Sequence, residues 1–193
     1  MKIGVLALQG AFAEHEKVLE QLGAKCIELR QARDLSEPYD ALVLPGGEST
    51  VQGKLLKELG MFDIMKSQIE NGMPVLATCA GAILLAEKIE GQIKGQPEQY
   101  FGTIPMCIRR NAYGRQLGSF HTEAPVAGIG TVPMTFIRAP YIASVGDGVE
   151  VLAVVEERIV GVKYKNQMAF SFHPELDPDM RIHKTFLSMI SNV

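Results

Sequence analysis

Short unbroken apolar runs alternate with segments of helical period over the first half of the chain. This alternation limits the possible folds more than any other feature. KIGVLAL (2–8), CIEL (26–29), ALVLP (41–45) and residues 74–78 read as strands. Between the first two, Phe12, His15, Leu19 and Leu22 fall at helical spacing, with Gly23 as a stop. After 41–45, Ser49 or Thr50 is placed to cap a helix whose face carries Val51, Leu55, Leu56 and Leu59. MFDIMKSQIENG predicts a further helix ending at Asn71-Gly72, and another starts at residue 80, running through Ile83, Leu84, Ala86 and Glu87. Strands alternating with helices imply parallel βαβ units, and strands without polar alternation are buried on both faces.

After residue 98 strand-like pieces crowd together: a run ending in MCIRR, then LGSFHTEAP, TVPMTFI, EVLAVVEERIVGVKY and QMAFSFHP. Glu157-Arg158 suits a hairpin turn, and MRIHKTFLSMISNV closes as a helix with Met180, His183, Leu187 and Ile190 on one face. The expected fold is α/β: a three-layer, open, mostly parallel sheet with helices on both faces and added antiparallel strands. The 193 residues suit one domain, 1–193.

A net charge of −3 gives no support for a nucleic-acid or anionic-membrane surface. The N-terminal apolar run is too short for a signal peptide, and no stretch approaches the roughly 20 apolar residues of a membrane span. Three cysteines, without zinc or disulfide spacing, fit a cytoplasmic protein. Neither a metal nor a cofactor is expected.

Cys79 falls at the junction of strand 74–78 and the next helix, followed by Ala80 and Gly81. In open α/β sheets, ligands bind beyond the carboxyl ends of strands. A sharp strand-to-helix turn lifts a nucleophile clear of the backbone, and a helix start stabilises a thiolate. The Ala80 N–H is placed to donate to an oxyanion. By themselves these features leave Cys79 between a reactive thiol and a small buried hydrophobe. Cys26 and Cys107 take the second reading.

A thiol nucleophile needs a base and an orienting group. His15 and His183 lie on predicted helices and read as packed or half-exposed side chains; His121 lies in a probable strand. His173, in FSFHPEL, ends an apolar strand before Pro174. Proline favours an extended His173, and residues i and i+2 of an extended segment point the same way, so Glu175 projects beside it. The alternative is a surface His and Glu around a proline turn. Asp177 and Asp179 are weaker orienters, nearer the last helix. LPGGEST (44–50) also joins a strand to a helix; Gly46-Gly47 lets N–H groups face an oxyanion. It lacks the lysine and spacing of a phosphate loop. A plain loop with a helix cap is the other account.

Together these pieces resemble the class I (triad) glutamine amidotransferases. More narrowly, GVLALQGAFAEH, LPGGEST, TCAG, RRNAYGRQ, FIRAP and SFHPEL, spread in order over residues 4–176, are similar to the glutaminase subunits of pyridoxal 5′-phosphate synthases. The resemblance implies hydrolysis of L-glutamine to glutamate and ammonia through a thioester. Cys79 would be the nucleophile, His173 the base and acid, and Glu175 its orienter. Gly47 and Ala80 would supply oxyanion N–H groups. Gly47, Glu48, Ser49, Arg110, Ile137 and Arg138 would bind glutamine. Arg109 is a neighbour that the family pattern passes over. The implied partner is a (β/α)₈-barrel synthase subunit in a large hetero-oligomer, which receives the ammonia and raises glutaminase activity on docking. The Gln9-Gly10 loop, expected at the same sheet edge, is a candidate docking sensor. Subunits serving histidine, tryptophan, purine or pyrimidine synthesis would share Cys79, His173 and Glu175 but not LQGAFAEH or RNAYGRQ. A non-catalytic binding module would not need the Cys-His-Glu set, and a thiol hydrolase of similar architecture would not need Arg110 and Arg138.

Overall fold

The computed structural model describes residues 1–91, 100–110 and 119–190. Twelve strands and five α-helices are present among them. In chain order they are β1 (Lys2–Leu6), α1 (Phe12–Gln21), β2 (Lys25–Leu29), β3 (Ala41–Leu44), α2 (Ser49–Glu58), α3 (Phe62–Glu70), β4 (Val75–Thr78), α4 (Ala80–Leu85), β5 (Ala86–Ile89) and β6 (Ile104–Arg109). Then come β7 (Ser119–Val126), β8 (Gly130–Ile137), β9 (Tyr141–Val145), β10 (Glu150–Val155), β11 (Arg158–Tyr164), β12 (Gln167–Phe170) and α5 (Arg181–Ile190).

Ten strands form one sheet in the order β2-β1-β3-β4-β12-β11-β9-β6-β5, with β10 paired to β11. From β2 through β12 every neighbour is parallel. β11, β9 and β10 add antiparallel pairings, and β5 with β6 is parallel again. β7 and β8 form a separate antiparallel ribbon.

The inner parallel strands β1, β3, β4 and β12 are buried on both faces, which explains their unbroken apolar runs, whereas β2 at the sheet edge is partly exposed. Leu42, Leu44, Val75, Ala77 and Ala169 join a core containing Leu56 of α2, Met65 and Ile69 of α3 and the apolar side of α4. Their alternates Ala41, Val43, Leu76, Met168 and Phe170 join a second core with Leu19 of α1, Ile182 and Phe186 of α5 and the inner side of the β7–β8 ribbon. Helices therefore cover both faces, as the alternation implied, and the ribbon shares one face with α1 and α5.

Several local expectations shift. Helix α4 stops at Leu85, and Ala86-Glu87 already belong to β5. The Phe101 N–H takes the Leu84 carbonyl at 2.6 Å, while Ala86 pairs with Ile104, so the sheet edge outcompetes another helical turn. The hairpin turn is Glu156-Glu157, both at positive φ, and Arg158 begins β11. Positive φ at both central residues is the geometry of a two-residue hairpin loop. Helix α2 buries Ser49, Gln52, Gly53 and Leu56, leaving Val51 and Leu59 exposed. Its packed side combines Leu56 in the core with Gln52, which bonds two loop carbonyls. On α5 the expected His183, Leu187 and Ile190 do face the core, but Ile182 and Phe186 carry most of the apolar burial and Met180 precedes the helix. Strand β9 had no separate sequence signal.

Candidate active site

The carboxyl ends of β1, β3, β4 and β12 lie side by side at one edge of the sheet. They deliver the segments 7–11, 45–48, Cys79 and 171–175 to that edge. Cys79 has φ 47° and ψ −104° and immediately precedes α4. Positive φ in a residue with a Cβ is strained, and here it makes the strand-to-helix reversal possible in a single residue. The Cys79 N–H still reaches the Phe170 carbonyl at 2.8 Å, which ties the bend to β12. Gly81 is small for a specific reason: a Cβ there would overlap the Leu44 carbonyl of β3. The first-turn N–H groups of α4, including that of Ala80, have no carbonyl partner within the helix.

His173 lies three residues beyond β12, with φ −111° and ψ 83°. Its N–H bonds the Thr135 carbonyl of β8 at 2.8 Å. Pro174–Leu176 form a 3₁₀ turn with proline at its start, so Glu175 is carried by a turn and not by an extended segment. The expected pairing nevertheless forms. His173 Nδ1 and Glu175 Oε1 are 2.7 Å apart, with both residues buried. Cys79 also lies close enough to the His173 imidazole to raise its pKa. Burial opposes a charge on His173, but Cys79 and the bonded Glu175 outweigh it and push its pKa up to about 10. Burial would likewise raise the Glu175 carboxyl; the imidazoles of His15 and His173 facing it hold it below its usual range. The arrangement offers a thiol, an imidazole that favours taking its proton, and an ionised carboxylate behind that imidazole.

Beside it run the 9–11 and 45–48 loops, stitched together by four hydrogen bonds. Gln9 Oε1 accepts the Glu48 N–H at 2.7 Å, and the Gln52 amide donates to the Gln9 carbonyl at 2.9 Å and to that of Pro45 at 3.3 Å. The Ala11 N–H bonds the Gly46 carbonyl. Glu48, not Ser49 or Thr50, is the N-cap of α2, and it makes no side-chain cap bond. Ser49 opens the helix with its Oγ buried and without a hydrogen-bond partner. A Cβ on Gly46 would overlap His173 Cε1 and stand 3.0 Å from Nδ1, so the imidazole rests directly on that glycine.

A family model for the SNO glutamine amidotransferases matches residues 5–192. The chain belongs to the SNO glutamine amidotransferase family. It is 59% identical over 192 residues to a Desulfitobacterium hafniense protein named pyridoxal 5′-phosphate synthase subunit PdxT, covering 100% of this chain and 94% of that one. A protein of the same name from Streptococcus pneumoniae is 54% identical, covering 98% and 97%. A crystal structure of a glutamine amidotransferase superposes with a TM-score of 0.91 at 43% identity, over 98% of each chain. A putative GMP synthase subunit from Thermoplasma acidophilum shares the fold alone, at TM-score 0.71 and 20% identity, over 100% of this chain and 94% of that one.

The remaining residues expected from this family sit on the antiparallel side. Arg110 directly follows β6 and is half-buried. Ile137 ends β8 and is exposed; Arg138 follows at φ 44°. Arg109 pairs with Tyr141 across β6 and β9, so the end of β6 lies alongside the segment that leads from Arg138 into β9. The RRNAYGRQ motif continues through residues 111–116, outside the described residues, as do 92–99 of the variable stretch QIKGQPEQYFGT. Asp177 faces His121 at 3.2 Å, and Asp179 binds Arg181, so neither orients His173. Cys26 and Cys107 are half-buried, and burial pushes the Cys26 thiol up to about 12, away from reactivity. Among the described residues no His, Cys, Asp and Glu cluster is placed to hold a metal ion, and no helix is long and apolar enough to cross a membrane.

Sequence reasoning placed the Gln9-Gly10 loop at this edge but missed Thr78, His15, His183 and Gln52 as partners of the site. His15 and His183 are fully buried, and each titrates below its ordinary value because burial disfavours its charge, His183 at about 3. The sign follows from proton uptake. Below pH 6.5 the unfolded imidazole binds a proton that the folded one refuses, so stability falls as pH falls. His173, with a raised pKa, contributes stability that is already complete below 6.5 and is lost as pH rises through about 10. Glu175, with a lowered pKa, loses its contribution only below the ordinary carboxylate range. Between pH 6.5 and 5 the buried imidazoles therefore dominate. Across that interval His183 alone accounts for on the order of 1–2 kcal/mol of lost stability. Thermal melts should show a midpoint falling by several degrees over that range, and His183→Gln should flatten the fall. A pH-independent midpoint in the unmodified protein would contradict the neutral assignment.

Proposed function

We propose that this chain hydrolyses L-glutamine to glutamate and ammonia, and that the ammonia serves pyridoxal 5′-phosphate synthesis. Cys79 beside the bonded His173–Glu175 pair at the sheet edge supports this reading most directly. Cys79 Sγ attacks the side-chain amide carbon while its proton passes to His173. The resulting oxyanion is met by the N–H groups of Gly47 and Ala80. His173, held charged by Glu175, returns the proton to the departing nitrogen, and ammonia leaves a thioester on Cys79. Water, deprotonated by His173, then attacks the thioester carbon; the C–S bond breaks and glutamate is released. Gly47, Glu48, Ser49, Arg110, Ile137 and Arg138 bind glutamine, with an Arg suited to paired hydrogen bonds from the α-carboxylate.

The partner is a synthase subunit, a (β/α)₈ barrel in a large hetero-oligomer, consistent with the name carried by the 59% identical relative. The cytoplasm is the expected site of action; three free cysteines suit it. Gln9 senses docking, because its side chain and carbonyl hold the loop that carries Gly47. The test measures glutamate release from glutamine with and without the barrel. We expect weak release alone and strong release with the partner, and a Gln9→Ala variant that responds less to the barrel. No release in either condition would refute the glutaminase reading. Release indifferent to the barrel would refute the partner, and full stimulation of Gln9→Ala would refute the sensor.

A further inference from the structure

Behind Glu175, on the side away from His173, lies a chain of buried polar groups that the reaction above does not use. Glu175 Oε1 is bound to His173, and Oε2 is buried without a hydrogen bond of good geometry. His15 Nε2 lies 3.4 Å from it. The same nitrogen is 3.0 Å from Thr78 Oγ1, which accepts the Gly46 N–H at 3.1 Å. His15 Nδ1 is 2.9 Å from His183 Nε2, and His183 Nδ1 has no partner. These four residues come from α1, β4, α5 and the 3₁₀ turn.

The Thr78 hydroxyl can either accept from or donate to His15 Nε2, so the carboxylate and His183 decide the arrangement of protons. Glu175 is ionised and can only accept, so His15 Nε2 must carry hydrogen; a lone pair there would face a carboxylate. Neutral His15 then presents a lone pair at Nδ1, which requires a hydrogen on His183 Nε2. That leaves His183 Nδ1 as a bare acceptor, and an unpaired buried acceptor is tolerated better than an unpaired N–H. The opposite tautomers would bury an orphan donor on His183 and set two lone-pair groups against each other at Glu175.

We propose that His15 is a positioning residue for this reaction: its Nε2–H, set by His183 and bonded to Thr78, turns its positive end toward the second oxygen of Glu175 at 3.4 Å and so holds the carboxylate on His173. The proposal rests on the glutaminase reading. His15 is fully buried, so it acts through Glu175 and not on substrate. The titratable and charged groups around it are Glu175 and His173 on the turn, His183 on α5, and Glu14 beside it on α1.

Three substitutions separate positioning from packing, each assayed with the barrel partner at saturating glutamine and across pH. His15→Gln keeps an amide N–H where Nε2 stood, His15→Asn places its amide nearer Nδ1, and His15→Leu has no donor. We expect kcat to fall about tenfold or more for His15→Leu and His15→Asn, with KM for glutamine within about twofold, and to stay within about threefold for His15→Gln. The acid limb of kcat/KM should move to higher pH in Leu and Asn, because Glu175 has lost the N–H dipole that faces its ionised form. Equal activity of the Gln and Asn variants, or an acid limb unmoved in Asn, would overturn the proposal. Should His15→Leu not fold, the Gln–Asn contrast still decides. The unmodified chain is the control for the underlying reading: absence of release there refutes the glutaminase, whereas normal release with a silent His15 series refutes only the positioning role.

Discussion

Cys79→Ala should abolish partner-stimulated glutamate release, lowering kcat by about a thousandfold or more. The reason is chemical: no other thiol is available at the sheet edge. Cys26 lies on β2 with its thiol bonded toward the Glu16 carbonyl, and Cys107 lies within β6. Steady-state glutamate production with the barrel present reads this directly; residual release above a hundredth of normal would mean that Cys79 is not the nucleophile. A second substitution at the same position separates chemistry from strain. Cys79 holds φ 47° and ψ −104°, a conformation that costs a residue with a Cβ about 1–3 kcal/mol. Alanine keeps that cost and glycine relieves it. Cys79→Gly should therefore be as inactive as Cys79→Ala yet more stable by about 1 kcal/mol, after allowing for glycine's larger unfolded-state entropy. In a chain of this size that is about 2–4 °C in the thermal midpoint. Equal midpoints would show that the bend stores no strain.

Gly46→Ala should be nearly as damaging, although the residue carries no functional side chain. The added methyl would overlap His173 Cε1 and crowd Nδ1, the atom that meets Glu175. The backbone has little room to yield, because the Gly46 N–H is held by Thr78 and its carbonyl by the Ala11 N–H. The imidazole must move instead, and a displacement of about 1 Å in a catalytic group costs about a hundredfold. We expect kcat to fall by at least that factor with Cys79 present and the fold retained, as checked by circular dichroism. Wild-type turnover in Gly46→Ala would mean that His173 does not work from the position it occupies here.

The two predictions differ in how far the sequence anticipates them. The local pattern at Cys79, an apolar strand, a cysteine, two small residues and a helix, leaves it between a reactive thiol and a buried hydrophobe, and the SFHPEL and LPGGEST motifs tip it toward the nucleophile. The pairing of His173 with Glu175 was also anticipated, although for a partly different reason. The spacing of two was right, but a 3₁₀ turn started by Pro174 brings the side chains together, not extended backbone. Gly46 illustrates what spacing does not reveal. The GG pair reads as loop flexibility, whereas Gly46 is small because an imidazole 127 positions later in the chain lies against it.

Helix faces were less legible than strands. In α2 the apolar stripe through Val51 and Leu59 is exposed, and Gln52 is buried because loops on either side offer it two carbonyls. A polar residue is buried where it finds partners, and partners distant in sequence leave no periodic trace. His15 and His183 are the same case, read as packed helix residues and found bonded to each other across 168 positions.

The sequence by itself determined the parallel character of the first strands and the edge where chemistry collects. These follow from local periodicity and from rules that tie strand ends to ligand sites, both of which act over a few residues. Only the tertiary structure decided which groups stand behind Glu175, which glycine supports His173 and which side of α2 faces inward. Those outcomes depend on β12 lying beside β4 and on α1 and α5 packing over the same face. That packing sets contacts between segments whose sequences carry no mark of one another.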